Sequence, residues 1–181
     1  MDNIKNKRIA ILVANGFEEV ELSEPKKTLE QAGAITKIVS IEKDKVKAWD
    51  KTDWGKDYPV DLHINNAKAN DFDALVLPGG QLNPDFLRVN QKAVNFVKDF
   101  AQQNKLIAAI CHGPWTLIEA DLVKGKRMTS YPSIKTDLKN AGAEWIDKEV
   151  VEDQGIITSR KPDDIPAFNK AIIEAFEHVT A

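Results

Sequence analysis

The fold is decided by residues 106–115, which read Leu-Ile-Ala-Ala-Ile-Cys-His-Gly-Pro-Trp. Five apolar residues lead to Cys111, which is the only cysteine in the chain. A short apolar run that ends at turn residues is typical of a buried strand, and Pro114 suits the first turn of a helix. The segment therefore predicts a strand that bends sharply at Cys111 and continues directly into a helix.

The position of Cys111 permits two interpretations. A lone cysteine at the end of an apolar strand is commonly a small buried hydrophobic residue. A cysteine at a strand–helix turn can instead be a nucleophile, because the positive end of the helix favours a thiolate and the next N–H groups can bind an oxyanion. The Gly113-Pro114 turn favours the nucleophile, since a side chain at a sharp bend tends to be accessible.

Further strand patterns on both sides of this segment indicate an open α/β sheet. Residues 8–14 and 72–77 predict buried parallel strands, and residues 36–41 predict another strand. Before residues 36–41, Pro25 and Gly33 mark the start and the end of a predicted helix. The resulting β-α-β order favours a right-handed crossover and a mainly parallel sheet.

The remaining segments predict shorter elements around this sheet. Asn90 is suited to cap a helix whose apolar positions run from 93 to 100. Residues 42–58 predict a loop or a short hairpin, in which Trp49 and Trp54 either line a cleft or interface or pack beneath the loop. Further helices are predicted at 114–120, at 134–141 and from 162 onwards. Further strands are predicted at 60–64, 127–130, 144–151 and 156–159.

Composition excludes several classes of partner. With 181 residues, 43% of them hydrophobic and 29% charged, the chain is typical of one globular domain, and we expect a single domain over residues 1–181. A net charge of −3 gives no electrostatic argument for a nucleic-acid partner. No apolar run approaches the roughly 20 residues that a membrane span requires, so no membrane partner is expected.

The cysteine and histidine content bears on compartment and cofactor. One cysteine cannot form an internal disulfide, and the first eight residues are too polar for a signal peptide, so a cytoplasmic location is expected. One cysteine and three dispersed histidines offer no cluster for a metal ion. Without a glycine-rich dinucleotide motif or a P-loop lysine, the sequence predicts no nucleotide cofactor either.

Gly79 and Gly80 follow the predicted strand 72–77 at its carboxyl end, where open α/β sheets bind ligands. Their backbone N–H groups could approach a ligand closely, and they would close the other side of the Cys111 site if the two strands are neighbours. The alternative is a tight turn that merely requires positive φ. The dipeptide alone leaves both interpretations open.

A general base for Cys111 would have to be one of the three histidines. His63 lies on the polar side of the predicted strand 60–64, and His178 lies near the C-terminus, where fraying is common. His112 is adjacent to the nucleophile and is the best candidate, although adjacent side chains do not normally face each other. It would need an acid to orient its ring.

Six segments in one order along the chain carry a resemblance to a known family: residues 15–21, 72–80, 109–114, 129–132, 140–145 and 158–160. Together they resemble the PfpI-like branch of the DJ-1/PfpI superfamily, with Ala-Ile-Cys-His-Gly-Pro as its nucleophile elbow. The resemblance implies a flavodoxin-like three-layer α/β/α sandwich, similar to class I glutamine amidotransferase domains.

The resemblance also implies roles for individual residues. Cys111 is the implied nucleophile, and Glu18 is expected to place its carboxyl beside the thiol. A protonated carboxyl there can donate a hydrogen bond to the thiolate and exchange protons with the substrate. Without the resemblance, the residues favour a solvated loop carboxylate for Glu18, since four acids crowd into residues 18–24.

In the PfpI-like branch, an acid from a neighbouring subunit orients the histidine. The family usually has a glutamate after a proline in the loop that follows Gly-Gly. Here Pro84 and Asp85 fit, in a loop one residue longer than the family pattern, so Asp85 is the expected acid for His112. A site completed in this way implies self-association as a dimer or a hexamer.

The family's activities imply three alternative functions. The first is a cysteine-dependent, cofactor-independent glyoxalase or protein deglycase that acts on methylglyoxal-like dicarbonyls, or on glycated protein, in stress protection. The second is an intracellular cysteine peptidase of PfpI type. The third is a redox-sensing chaperone without turnover, in which Cys111 is oxidised to a sulfinate that Glu18 stabilises. A small pocket suits a reactive carbonyl better than a polypeptide, which needs an extended groove.

Overall fold

The computed structural model describes residues 3–178, and it confirms the predicted three-layer α/β fold. The strands are β1 (Arg8–Val13), β2 (Phe17–Glu18), β3 (Ile35–Ser40), β4 (Lys45–Asp50), β5 (Asp53–Pro59), β6 (Leu62–His63), β7 (Ala74–Leu77), β8 (Leu106–Ile110), β9 (Arg127–Met128), β10 (Glu144–Trp145), β11 (Val151–Asp153) and β12 (Ile156–Ser159). The α-helices are α1 (Glu19–Gln31), α2 (Leu82–Arg88), α3 (Gln91–Gln102), α4 (Pro114–Glu119), α5 (Lys135–Asn140) and α6 (Ile165–His178).

The central sheet has seven strands in the order β11-β12-β8-β7-β1-β3-β6. All neighbours in it are parallel except β11, which pairs antiparallel with β12. The strands β7 and β8 are neighbours, with Leu77 opposite Ala109. The carboxyl end of β7, which carries the two glycines, therefore lies beside the carboxyl end of β8, which carries the cysteine.

Both faces of this sheet are buried, which explains the continuous apolar runs in its strands. In β1, Ala10 and Leu12 face a core shared with α2, α3, α4 and α5, whereas Ile9 and Ile11 face a core shared with α1 and α6. Asn90 caps α3 through a bond from the Ala93 N–H to its side chain, as predicted. Among the helices of residues 3–178, none has the length and apolar character to cross a membrane.

The first helix begins earlier than predicted. The sequence placed its start at Pro25, but α1 begins at Glu19 and contains Pro25 in its interior. The prediction was wrong because acidic side chains in a first turn are stabilised by the helix dipole, so the acidic run belongs to the helix rather than to a loop. This shift turns Glu21 onto the buried face of α1 together with Leu22 and Leu29.

Residues 42–58 form a hairpin, β4–β5, which joins β2 in a separate three-stranded sheet. The hairpin alternative is thus confirmed. Its pairing with β2, which follows β1 in the chain, places the hairpin near the carboxyl end of β1. Three strand predictions were too long. The predicted strand 127–130 keeps only Arg127–Met128. The predicted strand 60–64 keeps only Leu62–His63 before a 3₁₀ turn, and residues 144–151 divide into β10, which pairs with β9, and the start of β11.

Candidate active site

The bend at Cys111 is a strained strand-to-helix elbow. Cys111 has φ of 63°, a left-handed conformation that typically costs a non-glycine residue about 1–3 kcal/mol. Its backbone holds this shape by donating from its N–H to the Ser159 carbonyl and accepting at its own carbonyl from the Tyr131 N–H. A Cβ on Gly113 would lie 2.6 Å from the Leu77 carbonyl oxygen, so only glycine lets α4 start this close to the sheet.

A buried carboxyl, that of Glu21, lies against the Cys111 thiol. Its Oε2 accepts a 2.7 Å hydrogen bond from the Gly79 N–H, and its Oε1 is buried and accepts no hydrogen bond from residues 3–178. Burial raises the pKa of Glu21 to about 8. At neutral pH the side chain is therefore a protonated acid that can donate a proton within the site.

Glu18 does not take the place expected for it beside the thiol. It is the residue before α1, it is half-buried, and its Oε1 accepts a 3.2 Å hydrogen bond from the Lys51 N–H. Burial raises the pKa of the Glu18 carboxyl as well. The position beside Cys111 belongs to Glu21, because α1 begins at Glu19 and its first turn directs Glu21 toward the sheet.

The sequence contains a signal for Glu21 that the first interpretation missed. Once the helix is started at the acidic run, Glu21 shares a buried face with Leu22, Pro25 and Leu29. An acid on the apolar face of an amphipathic helix is costly unless it has a partner, and it is therefore a candidate functional group.

The two glycines after β7 have different roles. The Gly79 N–H is already bonded to Glu21, so it is not available to an oxyanion. Burial raises the pKa of the Cys111 thiol well above its usual range. The Gly80 and His112 N–H groups both point at Sγ, and their hydrogen bonds oppose part of this rise. Of the three backbone positions expected to bind an oxyanion, Gly80 and His112 are therefore available and Gly79 is not.

The ring of His112 faces the thiol, although the two residues are adjacent in sequence. Its Nδ1 lies 3.2 Å from Cys111 Sγ, and its Nε2 lies 3.0 Å from Ser133 Oγ. The left-handed backbone of Cys111 turns the two side chains to the same side. Tyr131 stacks on the imidazole at 4.9 Å between centroids, and Trp115 contacts it edge-on at 5.1 Å. Burial lowers the pKa of His112, so the ring is neutral at pH 7.

Asp85 does not contact His112 within the chain. It lies on α2, half-exposed, and its Oδ1 pairs with the Arg88 guanidinium at 2.7 Å. His63, which sits on the edge strand β6, uses its ring to bond the Ile41 carbonyl and the Asn65 N–H. Sequence reasoning missed Ser133, whose contact with His112 spans 21 residues and leaves no local pattern.

These groups lie around a cavity of about 630 Å³. The β4–β5 hairpin contributes Trp49 and Lys51 to its wall. Trp49 thus lines a cleft, whereas Trp54 packs edge-on against it and is half-exposed. The lining residues are Gly16, Glu18, Glu21, Trp49, Lys51, Gly80, Gln81, Leu82, Cys111, His112, Tyr131 and Pro162.

The described side chains provide no metal centre. Within residues 3–178, no group of three or more histidine, cysteine, aspartate or glutamate side chains is placed to hold a metal ion. The chemistry available in the site is that of a thiol, a neutral imidazole and a protonated carboxyl. These groups support nucleophilic attack on a carbonyl with proton transfer at both ends.

Comparison with known proteins places the elbow, the Gly-Gly turn and the sheet in one family. The sequence model of the DJ-1/PfpI family matches residues 7–175. The chain belongs to this family. Among curated relatives in it, "Putative cysteine protease YraA" of Bacillus subtilis is 44% identical over 165 residues, which cover 91% of this chain and 95% of the relative.

Two other relatives in the DJ-1/PfpI family carry different names. General stress protein 18 of Bacillus subtilis is 43% identical over 173 residues, covering 94% of this chain and 98% of the relative. Protein/nucleic acid deglycase 2 of Escherichia coli is 41% identical over 166 residues, covering 91% and 95%. Among solved structures, Drosophila melanogaster DJ-1beta has a TM-score of 0.86 at 30% identity, covering 94% of this chain and 90% of that one.

Proposed function

We propose that this member of the DJ-1/PfpI family is a cofactor-independent glyoxalase or protein deglycase that acts on methylglyoxal-like dicarbonyls, or on their adducts, in stress protection. The observation that carries the proposal is the pairing of Cys111 Sγ with a neutral imidazole at 3.2 Å and a buried carboxyl that is protonated at pH 7. The similarity to a relative named as a deglycase, and to another named as a general stress protein, supports it.

In the proposed reaction, Cys111 Sγ attacks the aldehyde carbon while its proton passes to His112 Nδ1. The new S–C bond leaves negative charge on the aldehyde oxygen, which the Gly80 and His112 N–H groups stabilise. His112 then returns its proton to this oxygen. The product is a neutral hemithioacetal, and the imidazole is ready to act as a base again.

The second stage moves hydrogen between the two carbons of the dicarbonyl. His112 removes the proton from the hemithioacetal carbon, and the Glu21 carboxyl donates its proton to the ketone oxygen, giving an enediol. His112 then delivers its proton to the former ketone carbon while Glu21 takes the proton from the first oxygen. The resulting lactoyl thioester is hydrolysed by water, which releases lactate and restores the thiol without any external oxidant or reductant.

A cysteine peptidase is the second candidate, because one relative carries that name. The cavity does not favour it. The thiol lies at the bottom of a pocket and is 7% exposed, whereas a polypeptide substrate requires an extended groove that reaches the nucleophile. In the redox chaperone alternative, the same cysteine, Cys111, is oxidised and no substrate is turned over.

Lactate production from methylglyoxal tests the proposal. The wild-type protein should release lactate without glutathione or added metal, and Cys111→Ala should abolish the release while it keeps the native circular dichroism spectrum. Cleavage of an unstructured protein such as casein, lost in the same variant, would support the peptidase instead. Cell protection by Cys111→Ala equal to that by wild type would contradict an enzymatic role for the thiol.

We further propose that the protein self-associates as a dimer or a hexamer in the cytoplasm. Support comes from α2 and the residue that follows it, which expose Leu82, Phe86 and Val89, with Val89 82% exposed. Leu82 also lines the cavity. Apolar side chains of this size, close together on a surface, are typical of an interaction site. The single free cysteine is compatible with a reducing compartment.

A further inference from the structure

The imidazole of His112 is held between two side-chain atoms of its own chain. Cys111 Sγ faces Nδ1 at 3.2 Å, and Ser133 Oγ faces Nε2 at 3.0 Å. Tyr131 and Trp115 close the two remaining sides of the ring, which is only 4% exposed. The ring therefore has little freedom to flip, and each nitrogen has one defined partner.

The direction of proton transfer from Cys111 determines which ring nitrogen of His112 carries the hydrogen. Nδ1 faces the thiol, so it must be bare in order to accept the proton that leaves Sγ. The single hydrogen of the neutral ring must then lie on Nε2, which donates it to Ser133 Oγ. After transfer both nitrogens carry hydrogen, and Nε2 still donates to the same oxygen. A hydroxyl has lone pairs for both states, so Ser133 need not move during the reaction.

The position of Ser133 is fixed relative to the nucleophile by its backbone. It lies in the 3₁₀ turn Pro132–Ile134, directly after Tyr131, whose N–H bonds the Cys111 carbonyl at 2.9 Å. Ile134, the next residue, is buried in the core and anchors the other side of the turn. The elbow and the hydroxyl are therefore parts of one connected unit.

We propose that Ser133 is a positioning residue of this site: from within its own chain it holds His112 in the Nε2–H tautomer. The proposal rests on the proposed function for the role of His112 as base. The expected acid, Asp85, would need Nε2, because Nδ1 is turned to the thiol. Within one chain, Ser133 Oγ faces that nitrogen, and Asp85 pairs with Arg88 on its own helix.

Two measurements that need no substrate test this role. The ¹⁵N chemical shifts of the His112 ring report which nitrogen carries the hydrogen, and the rate of Cys111 alkylation by iodoacetamide reports how readily the thiol loses its proton. In Ser133→Ala we expect mixed tautomers and alkylation at pH 7 that is about 10-fold slower, the equivalent of one net hydrogen bond. Ser133→Thr, which keeps a hydroxyl, should restore the Nε2–H tautomer and most of the rate.

Ser130→Ala is the matched control. Ser130 lies in the same loop, and its hydroxyl bonds the Tyr131 carbonyl and the Trp145 indole rather than His112. We expect this variant to retain the wild-type tautomer. The proposal is overturned if Ser133→Ala keeps the Nε2–H tautomer and the alkylation rate, if Ser130→Ala changes both equally, or if Asp85→Asn alone mixes the tautomers. Failure of the proposed function would appear separately, as absence of lactate production by wild type.

Discussion

At the residue scale, folding keeps the Glu21 carboxyl protonated at a pH at which the unfolded chain would have released the proton. Burial raises its pKa from 4.5 to about 8, so between these values the folded protein keeps a proton that the unfolded chain releases. Stability contributed through a raised carboxyl pKa is lost as pH rises, because the unfolded state then binds fewer protons than the native state. The carboxyl that serves the site therefore destabilises the fold toward alkaline pH.

This linkage predicts a pH-dependent difference between wild type and Glu21→Gln. From about pH 5 to pH 8, the free energy of unfolding of wild type should fall relative to the variant by about 1.4 kcal/mol per pH unit. Urea denaturation at several pH values measures it. Glu24→Gln, an exposed position on the same helix, is the control for loss of a surface carboxylate. Parallel curves for wild type and Glu21→Gln would contradict the assignment.

The sequence allowed part of this site to be predicted. Cys111 and His112 lie in one local motif, and the strand–turn–helix pattern around them is enough to propose a nucleophile and its neighbour. Glu21 could not be chosen over Glu18 without the exact start of α1, because Glu18 lies outside the helix in an extended conformation, whereas Glu21 lies in the first turn and on its buried face. The role of Ser133 could not be predicted, because its contact with His112 depends on how a turn 21 residues further along the chain packs against the elbow.

At the element scale, α2 is tied to two strand ends by one buried side chain. Asn83 Oδ1 accepts from the Ala14 N–H at 2.6 Å, and its Nδ2 donates to the Pro78 and Gly79 carbonyls, each at 3.0 Å. Asn83 is fully buried, so no water can replace its side chain as the hydrogen-bond partner of these three backbone groups. The contacts connect the end of β1 with the turn that presents Gly80 to the thiol.

Replacement of Asn83 by alanine should therefore harm both stability and the site. Loss of three hydrogen bonds with unsatisfied buried groups left behind predicts a decrease of about 3–5 kcal/mol in the free energy of unfolding. Chemical denaturation measures the decrease. Asn95→Ala on the exposed face of α3, which loses only a surface contact with Gln91, should cost less than about 1 kcal/mol. Equal effects of the two changes would show that the buried contacts do not stabilise the turn.

The elements of the main sheet were predictable because burial on both faces imposes continuous apolar runs. The amphipathic helix α3 was predictable from its spacing and its asparagine cap. The three-stranded sheet was not, because β2 has two residues and its pairing with β4 depends on a contact across 31 residues between Phe17 and Ala48. That sheet carries Trp49 to the cavity, so the cleft alternative for Trp49 could not be chosen from the sequence alone.

At the scale of the whole molecule, the exposed residues of α2 predict an interface between copies. Phe86→Glu should place a charge in that interface and lower the association state, as measured by analytical ultracentrifugation. Ile35→Glu is a matched control, since Ile35 is 44% exposed and Phe86 is 43% exposed. Ile35 lies on β3, away from this surface, and its replacement should leave association unchanged. If Phe86→Glu sediments like wild type, α2 is not the interface.

The central claim is that Glu21, and not Glu18, exchanges protons with the substrate beside Cys111. The most direct test is the pH dependence of kcat/KM for lactate production by wild type, Glu21→Gln and Glu18→Gln. Wild type should lose activity in acid as His112 is protonated, at a pH below the usual imidazole range because burial lowers the pKa of this ring, and above about pH 8 as Glu21 loses its proton.

Glu21→Gln should be roughly 10²–10⁴-fold slower, because an amide cannot pass a proton, and it should lack the decline near pH 8. Glu18→Gln should keep that decline. A decline that persists in Glu21→Gln and disappears in Glu18→Gln would contradict the account.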